Sequence, residues 1–324
     1  MLTIRTLATP WIGGLTVALL WLAYLVMPLL KILQLITPFP LLLVGLTHGV
    51  RGSILAVGVA VAAALLVAGG FHPEVQVTLL LMAAFPVLAA WLLRGGWRVT
   101  HCFFTALFLS LLVLVIGMAV AALDGGDLAA NLADTLNAEL AATREMWVAS
   151  MEEAKVDPQA LAQVKAMLDH LVRVMALSLP GMVTVSWLIM QTGNLLMVRT
   201  LFRPNGVAVL ATEDLDRFRV PFFLVWPLIL AAVLGLFGSG NWRFAGVNAG
   251  LVLAMPYLLQ GMAVINTVLR SRQASKVWWY SYYILLILWD KMIILVTVAG
   301  LLDAWFNFRD RFSKSGDDGS SGEA

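Results

Sequence analysis

Apolar residues in this chain come in long unbroken runs, where helices of water-soluble proteins carry only one apolar stripe. Nine runs stand out, at roughly 11–30, 33–50, 53–70, 75–94, 100–123, 174–198, 220–238, 246–268 and 279–302. A helix needs about 20 mostly apolar residues to cross the hydrocarbon core of a bilayer. The pattern therefore predicts an all-α fold, a polytopic helical membrane protein with about eight or nine transmembrane helices. The second run is the weakest: it is short and contains Pro38 and Pro40. It reads as a broken or re-entrant helix, which is tolerated only where protein buries it. The first run follows Arg5 and precedes Lys31 with no small-x-small cleavage pattern. It is too long for a signal-peptide core and is expected to be an uncleaved first span.

Small residues mark where these helices meet. Ala56, Ala60, Ala64 and Ala68 recur every four residues and share one face of the third run. Gly246, Gly250 and Ala254 do the same in the eighth. Such faces let another backbone approach closely, so both are expected to be helix contacts within the chain.

Residues 124–173 break the pattern. They hold nine acidic residues against four basic ones, a net of −5. Asp157-Pro158 reads as a helix start, with Asp as cap and Pro at the first helical position, and 127–153 is alanine-rich. Two amphipathic helices outside the membrane or on its surface are expected. The chain then divides into an N-terminal transmembrane block (1–123), an acidic extramembrane segment (124–173), a C-terminal transmembrane block (174–308) and a polar, disordered tail (309–324).

Composition supports the class. Hydrophobic residues make up 61% of the chain and charged residues 12%, against roughly 45–50% and 25% in soluble domains. The net charge of +2 gives no reason to expect a nucleic-acid partner. Where the basic residues sit says more. Arg94 and Arg98, then Arg199, Arg203, Arg217 and Arg219, then Arg270, Arg272 and Lys276 mark three cytoplasmic loops, which leaves the acidic segment on the far side. The last run does not fit: a single crossing would put Arg309, Arg311 and Lys314 outside. An interfacial helix followed by a shorter span would keep them inside. The cluster Trp278, Trp279, Tyr280, Tyr282 and Tyr283 suits an interface.

At Leu179-Pro180, at Gly193-Asn194 through Arg199, at Phe218-Arg219-Val220-Pro221 and at Gly300 through Asp303 to Arg309, the sequence resembles the YybS-like predicted bacterial membrane proteins, a domain of unknown function. That family is similar in architecture to the substrate-binding membrane subunits of energy-coupling-factor vitamin transporters. The resemblance implies a small-molecule binding role in the bacterial cytoplasmic (inner) membrane. It supplies no substrate and no functional residues to carry over. The long acidic insert departs from a six-helix transporter-subunit plan.

The candidate site residues are few. Asp290 and Lys291 lie mid-way along the last run, where each charge costs on the order of 3 kcal/mol. They point to a polar cavity, a ligand or an ion path, unless the run is off-centre and both charges reach an interface. Asn194, Asn248, Gln260 and Asn266 are amides in apolar surroundings. They could line a cavity, but interhelical hydrogen bonding is the stronger expectation. His48 and Arg51 follow the Pro38–Pro40 segment, where a broken helix frees backbone groups for an ion or anion. His72, His101 and His170 show no metal-ligand spacing. With one cysteine, Cys102, the chain can form no internal disulfide and no multi-cysteine metal site.

No G-x-x-x-x-G-K-[ST], H-E-x-x-H or G-x-S-x-G occurs, so no catalytic role or cofactor is expected. The partners expected are the lipid bilayer, other membrane subunits and a small-molecule ligand. The function expected is a binding or transport subunit without its own ATPase. The alternatives are a scaffold acting through 124–173, and an ion or proton pathway through Asp290 and Lys291.

Overall fold

Our description rests on a computed structural model that describes residues 9–23, 27–68, 70, 73–123, 125–202 and 218–309. Among them all regular structure is helical: α1 (Pro10–Leu22), a 3₁₀ segment (Pro28–Ile36), α2 (Pro38–Ala68), α3 (Pro73–Arg94), α4 (Val99–Leu123), α5 (Leu128–Glu153), α6 (Pro158–Phe202), α7 (Val225–Phe237), α8 (Gly240–Ser271), α9 (Lys276–Leu288) and α10 (Asp290–Phe306). The chain divides into two compact units, unit 1 (Met1–Leu109 with Ser186–Glu213) and unit 2 (Ser110–Val185 with Asp214–Ala324), so that two of the boundaries fall inside α4 and α6. Large apolar side chains stand exposed along many helices, among them Leu66 (83%), Leu123 (84%) and Ile287 (79%). Water penalises such surface by about 25 cal/mol per Å², and lipid does not.

The helix count corrects the expectation from the sequence. Among the described residues four stretches are long and apolar enough to cross a membrane, Ile32–Val67, Val99–Leu123, Pro158–Val198 and Gly240–Ser271, or five if the bent pair α9–α10 counts as one. The expected eight or nine is not supported. Several runs yield shorter helices: α1 stops at Leu22 and Pro28 opens a new segment, while α7 has 13 residues. Run 279–302 is broken as well. Trp289 is extended (φ −121°, ψ 105°), and the helices on either side are bent by 110°.

Unit 1 contains a hairpin hidden within α2. Gly49 sits at φ 79°, ψ −179°, a conformation an L side chain strongly disfavours. Ser53 Oγ donates to the Leu41 carbonyl at 3.2 Å, yet twelve residues of straight helix would separate the two by about 18 Å. The chain therefore doubles back at Gly49, leaving a half-helix over 38–48 and a longer limb over 50–68. Arg94 Nη1 donates to the Leu46 carbonyl at 2.8 Å, closing the end of the half-helix with a positive charge. α1 packs on both limbs, with Gly13 against Val44 and Gly14 against Ala56 and Val59. Ala56, Ala60 and Ala64 are all buried there, so the alanine face is an internal helix contact.

Within unit 2, α7 and α8 cross where Gly235 and Gly246 touch backbone to backbone, and Gly250 faces Ala231. The acidic segment forms α5 and the start of α6. Asp127 Oδ1 caps α5 by accepting from Ala129 N (2.9 Å) and Ala130 N (3.2 Å). The second amphipathic helix is not separate from the following run. The two are one helix of 45 residues, about 68 Å long at the usual rise. Exposed pairs Arg144–Asp169 and Lys165–Glu152 link it to α5. The tail beyond Arg309 lies outside the described residues.

Candidate functional site

The densest buried polar group in unit 2 gathers around the C-terminal end of α10. Asp303 (2% exposed) and Arg309 (5%) form a buried ion pair. Arg309 Nε donates to Asp303 Oδ2 at 3.0 Å, with Nη2 at 2.9 Å. Asn307 turns the chain through a left-handed residue (φ 47°) to bring Arg309 back, a conformation asparagine tolerates better than most. Arg309 Nη1 donates to the Phe218 carbonyl at 2.8 Å. Gln260 completes the group: its Nε2 donates to Asp303 Oδ2 at 2.9 Å, and its Oε1 accepts from Val220 N at 2.7 Å. Arg219 Nη1 donates to Asn307 Oδ1 at 2.8 Å on the outer side. Two stretches far apart in sequence, 218–220 and 303–309, are thus tied together across α8. Gly261 and Gly300 make this possible. A Cβ on Gly261 would overlap the Val296 carbonyl, and one on Gly300 the Tyr257 carbonyl.

Asn248, fully buried, serves a different purpose. Its Oδ1 accepts from Gly181 N at 2.6 Å, and its Nδ2 donates to the Leu177 carbonyl at 2.8 Å and the Phe244 carbonyl at 2.7 Å. Gly181 N and Leu177 O are four residues apart and would pair in a straight helix. Pro180 lies inside that turn, and a proline there crowds the ladder and removes a donor. The Asn248 amide bridges the disturbed turn, as neighbouring helices do for proline-containing membrane helices. Gly181 lets it in: a Cβ there would lie 2.9 Å from Asn248 Cα and carbonyl O.

The other candidates are dispersed. In unit 1, Asn194 Nδ2 donates to the Leu35 and Met190 carbonyls, each at 2.7 Å. One turn away, Gln191 Nε2 donates to the Met82 carbonyl at 3.3 Å. Asn266 Oδ1 accepts from Tyr283 OH at 3.3 Å, joining α8 to α9. Lys291 is exposed at the start of α10. Asp290 opens the same helix, and its side chain lies outside the described residues. The pair therefore sits at a helix break. His48 and Arg51 are exposed on either side of the Gly49 turn, and His48 Nδ1 is 2.9 Å from Thr47 Oγ1. Of the eight candidates, only Gln260 joins the buried ion pair. Asp303 enters the sequence pattern only through the resemblance, and Arg309 otherwise only as one of the tail charges that bear on orientation. Their signal was the placement of an acid and a base six residues apart at the end of an apolar run.

A groove of about 530 Å³ opens on unit 2. Val113, Gly117 and Met118 of α4, Leu128 and Leu132 of α5 and Phe244 of α8 line it. Asn131, Thr135 and Thr184 supply its polar atoms. Among the described residues no cluster of three or more His, Cys, Asp or Glu is arranged to hold a metal ion.

Comparison with known families places the chain. A family model described as predicted membrane protein, DUF2232, matches residues 15–304. The chain belongs to that family. Its apolar helices agree with the family's description as membrane proteins. No curated protein and no solved structure matches this DUF2232 chain.

Proposed function

We propose that this DUF2232 protein is a multi-pass protein of the bacterial cytoplasmic membrane. In this reading it binds or transports a small molecule, has no enzymatic activity of its own, and is powered by an ATPase on a separate chain. The observation that carries the reading is the hairpin at Gly49, which places a half-helix inside an apolar bundle. Interrupted helices of this kind recur at the binding sites of membrane transporters, where lipid-exposed loops are excluded and only protein or a cavity can house broken backbone. The break at Trp289 is a second case. Three shorter apolar helices, Pro10–Leu22, Thr78–Arg94 and Phe222–Phe237, pack against longer ones. The similarity to energy-coupling-factor substrate subunits fits a chain of this kind, and so does the absence of a nucleotide-binding loop.

The test is purification of the tagged chain at native expression level from native membranes, followed by mass spectrometry of bound proteins and small molecules. An ATPase-bearing partner or a retained non-lipid molecule supports transport. A chain recovered with neither contradicts it.

A scaffold role is the second reading. It is favoured by the α5–α6 hairpin, which exposes Met146, Trp147 and Met167 among its acidic residues. Deleting 127–168 should then strip the protein of its partners, and unchanged partners would end this reading.

A further inference from the structure

We propose that this protein holds an anionic membrane phospholipid by its phosphate group at the Gly49 turn, through the guanidinium groups of Arg51 and Arg94. The two arginines belong to different helices, α2 and α3. The reversal at Gly49 brings them to one place. An ideal Cβ on Gly49 would lie 3.7 Å from Arg94 Nε and Cζ, and Arg51 stands in the first turn of the limb that leaves the reversal. Arg94 is fixed there by the bond from its Nη1 to the Leu46 carbonyl. A guanidinium carries five N–H donors, so most of them remain for a ligand. Arg51 is exposed. Among the described residues no carboxylate pairs with either arginine.

Unit 1 has little with which to offset this charge. Its acidic residues are Glu74 and Glu213. Glu74 lies in the first turn of α3, and the helix from residue 74 to residue 94 is about 30 Å long. Glu213 lies outside the described residues. Arg98, in the turn that follows α3, adds positive charge at the Arg94 end. Arginines from two elements suit a phosphate, because each fork can give two parallel hydrogen bonds to its oxygens.

The surroundings point to lipid as the source. Ile54 (58% exposed) and Leu55 (43%) follow Arg51 by one helical turn, and Trp91 (57%) precedes Arg94 by one. Exposed apolar surface therefore runs on from both cations, where acyl chains attached to the phosphate would lie. A zwitterionic head brings its own cation and leaves the arginines less compensated, so the site favours a net negative head.

The test uses the full chain in nanodiscs of equal parts phosphatidylcholine and phosphatidylglycerol, with native mass spectrometry counting the lipids retained. Phosphatidylglycerol should be enriched among them. Arg51→Gln and Arg94→Gln should each lower that preference about fivefold, the effect expected of one arginine at an anionic surface. Arg94 also closes the half-helix, so Arg51→Gln decides if the Arg94 variant fails to fold. Arg272→Gln removes an exposed arginine from another basic loop and should leave the preference nearly unchanged. Excess inorganic phosphate should not release the bound lipid. An unchanged preference in Arg51→Gln overturns the proposal. So does an equal loss in Arg272→Gln, which would mean surface charge without a site. Release by inorganic phosphate would assign the turn to a soluble anion and overturn the lipid as its ligand.

Discussion

Replacing Arg309 with Met should be among the most damaging single changes in this protein. The side chain is 5% exposed and supplies the Nε and Nη2 contacts to Asp303 and the Nη1 bond to the Phe218 carbonyl. Without it, Asp303, 2% exposed, keeps the amide of Gln260 and a long bond, 3.4 Å, from the backbone N–H of residue 309, and no positive charge faces it from that side chain. Removing one partner of a buried pair costs about 3–5 kcal/mol, because the other charge is stranded. Asp303→Leu should cost a similar amount by stranding Arg309. The double variant should cost far less than the roughly 6–10 kcal/mol sum, since replacing both charges by apolar groups is often nearly neutral. About 1–3 kcal/mol should remain, because Gln260 Nε2 and the Phe218 carbonyl each lose a partner. The assay is unfolding in mixed micelles titrated with sodium dodecyl sulfate and followed by circular dichroism. Single changes below about 1 kcal/mol that simply add in the double would show that the pair is solvated and that the clamp does not exist.

Three further outcomes follow from the same geometry. Asn248→Leu removes three hydrogen bonds, and at a membrane average of about 0.6 kcal/mol each should cost about 2 kcal/mol in the same titration; no loss would mean that Asn248 does not brace the Pro180 turn. Gly300→Ala should destabilise by about 1–3 kcal/mol because its Cβ overlaps the Tyr257 carbonyl, whereas Gly117→Ala should be neutral or stabilising by up to about 1 kcal/mol; equal effects would contradict the described helix contacts. Gly49→Ala should cost about 1–3 kcal/mol through its positive φ, read as a lowered thermal midpoint, and an unchanged midpoint would argue for a straight α2.

Lipid-soluble runs are legible because each residue's transfer energy adds along a helix, and the runs over 100–123 and 246–268 lie within α4 and α8. The alanine face at Ala56, Ala60 and Ala64 and the glycine face at Gly246 and Gly250 are legible for a related reason, since close approach requires small side chains at fixed spacing. The breaks were harder. Gly49 is one glycine among several in its region, and the reversal there shows only in the folded chain, in its backbone angles and in the Ser53–Leu41 bond. Trp289 offers no composition signal for an extended residue. The buried ion pair depends on Gln260 and Phe218, which lie 43 and 91 residues away from Asp303 and Arg309 respectively. A linear pattern carries no trace of such pairing. The amides illustrate the same limit: Asn194, Asn248 and Gln260 look alike in sequence, yet each is assigned to a different stretch of backbone.

Lipid must cover the exposed apolar helices of this fold, and cysteine accessibility tests this directly. Cys102 is the single cysteine and is buried, so a Cys102→Ser chain accepts one reporter at a time. Ile116→Cys and Ile294→Cys place thiols at sites 53% and 63% exposed in the isolated chain; Glu145→Cys places one on the acidic hairpin. In native membranes a charged, membrane-impermeant maleimide should modify position 145 and leave 116 and 294 untouched until detergent is added. Modification of 116 and 294 as fast as 145 would mean that water reaches them, and the membrane-embedded fold would be wrong.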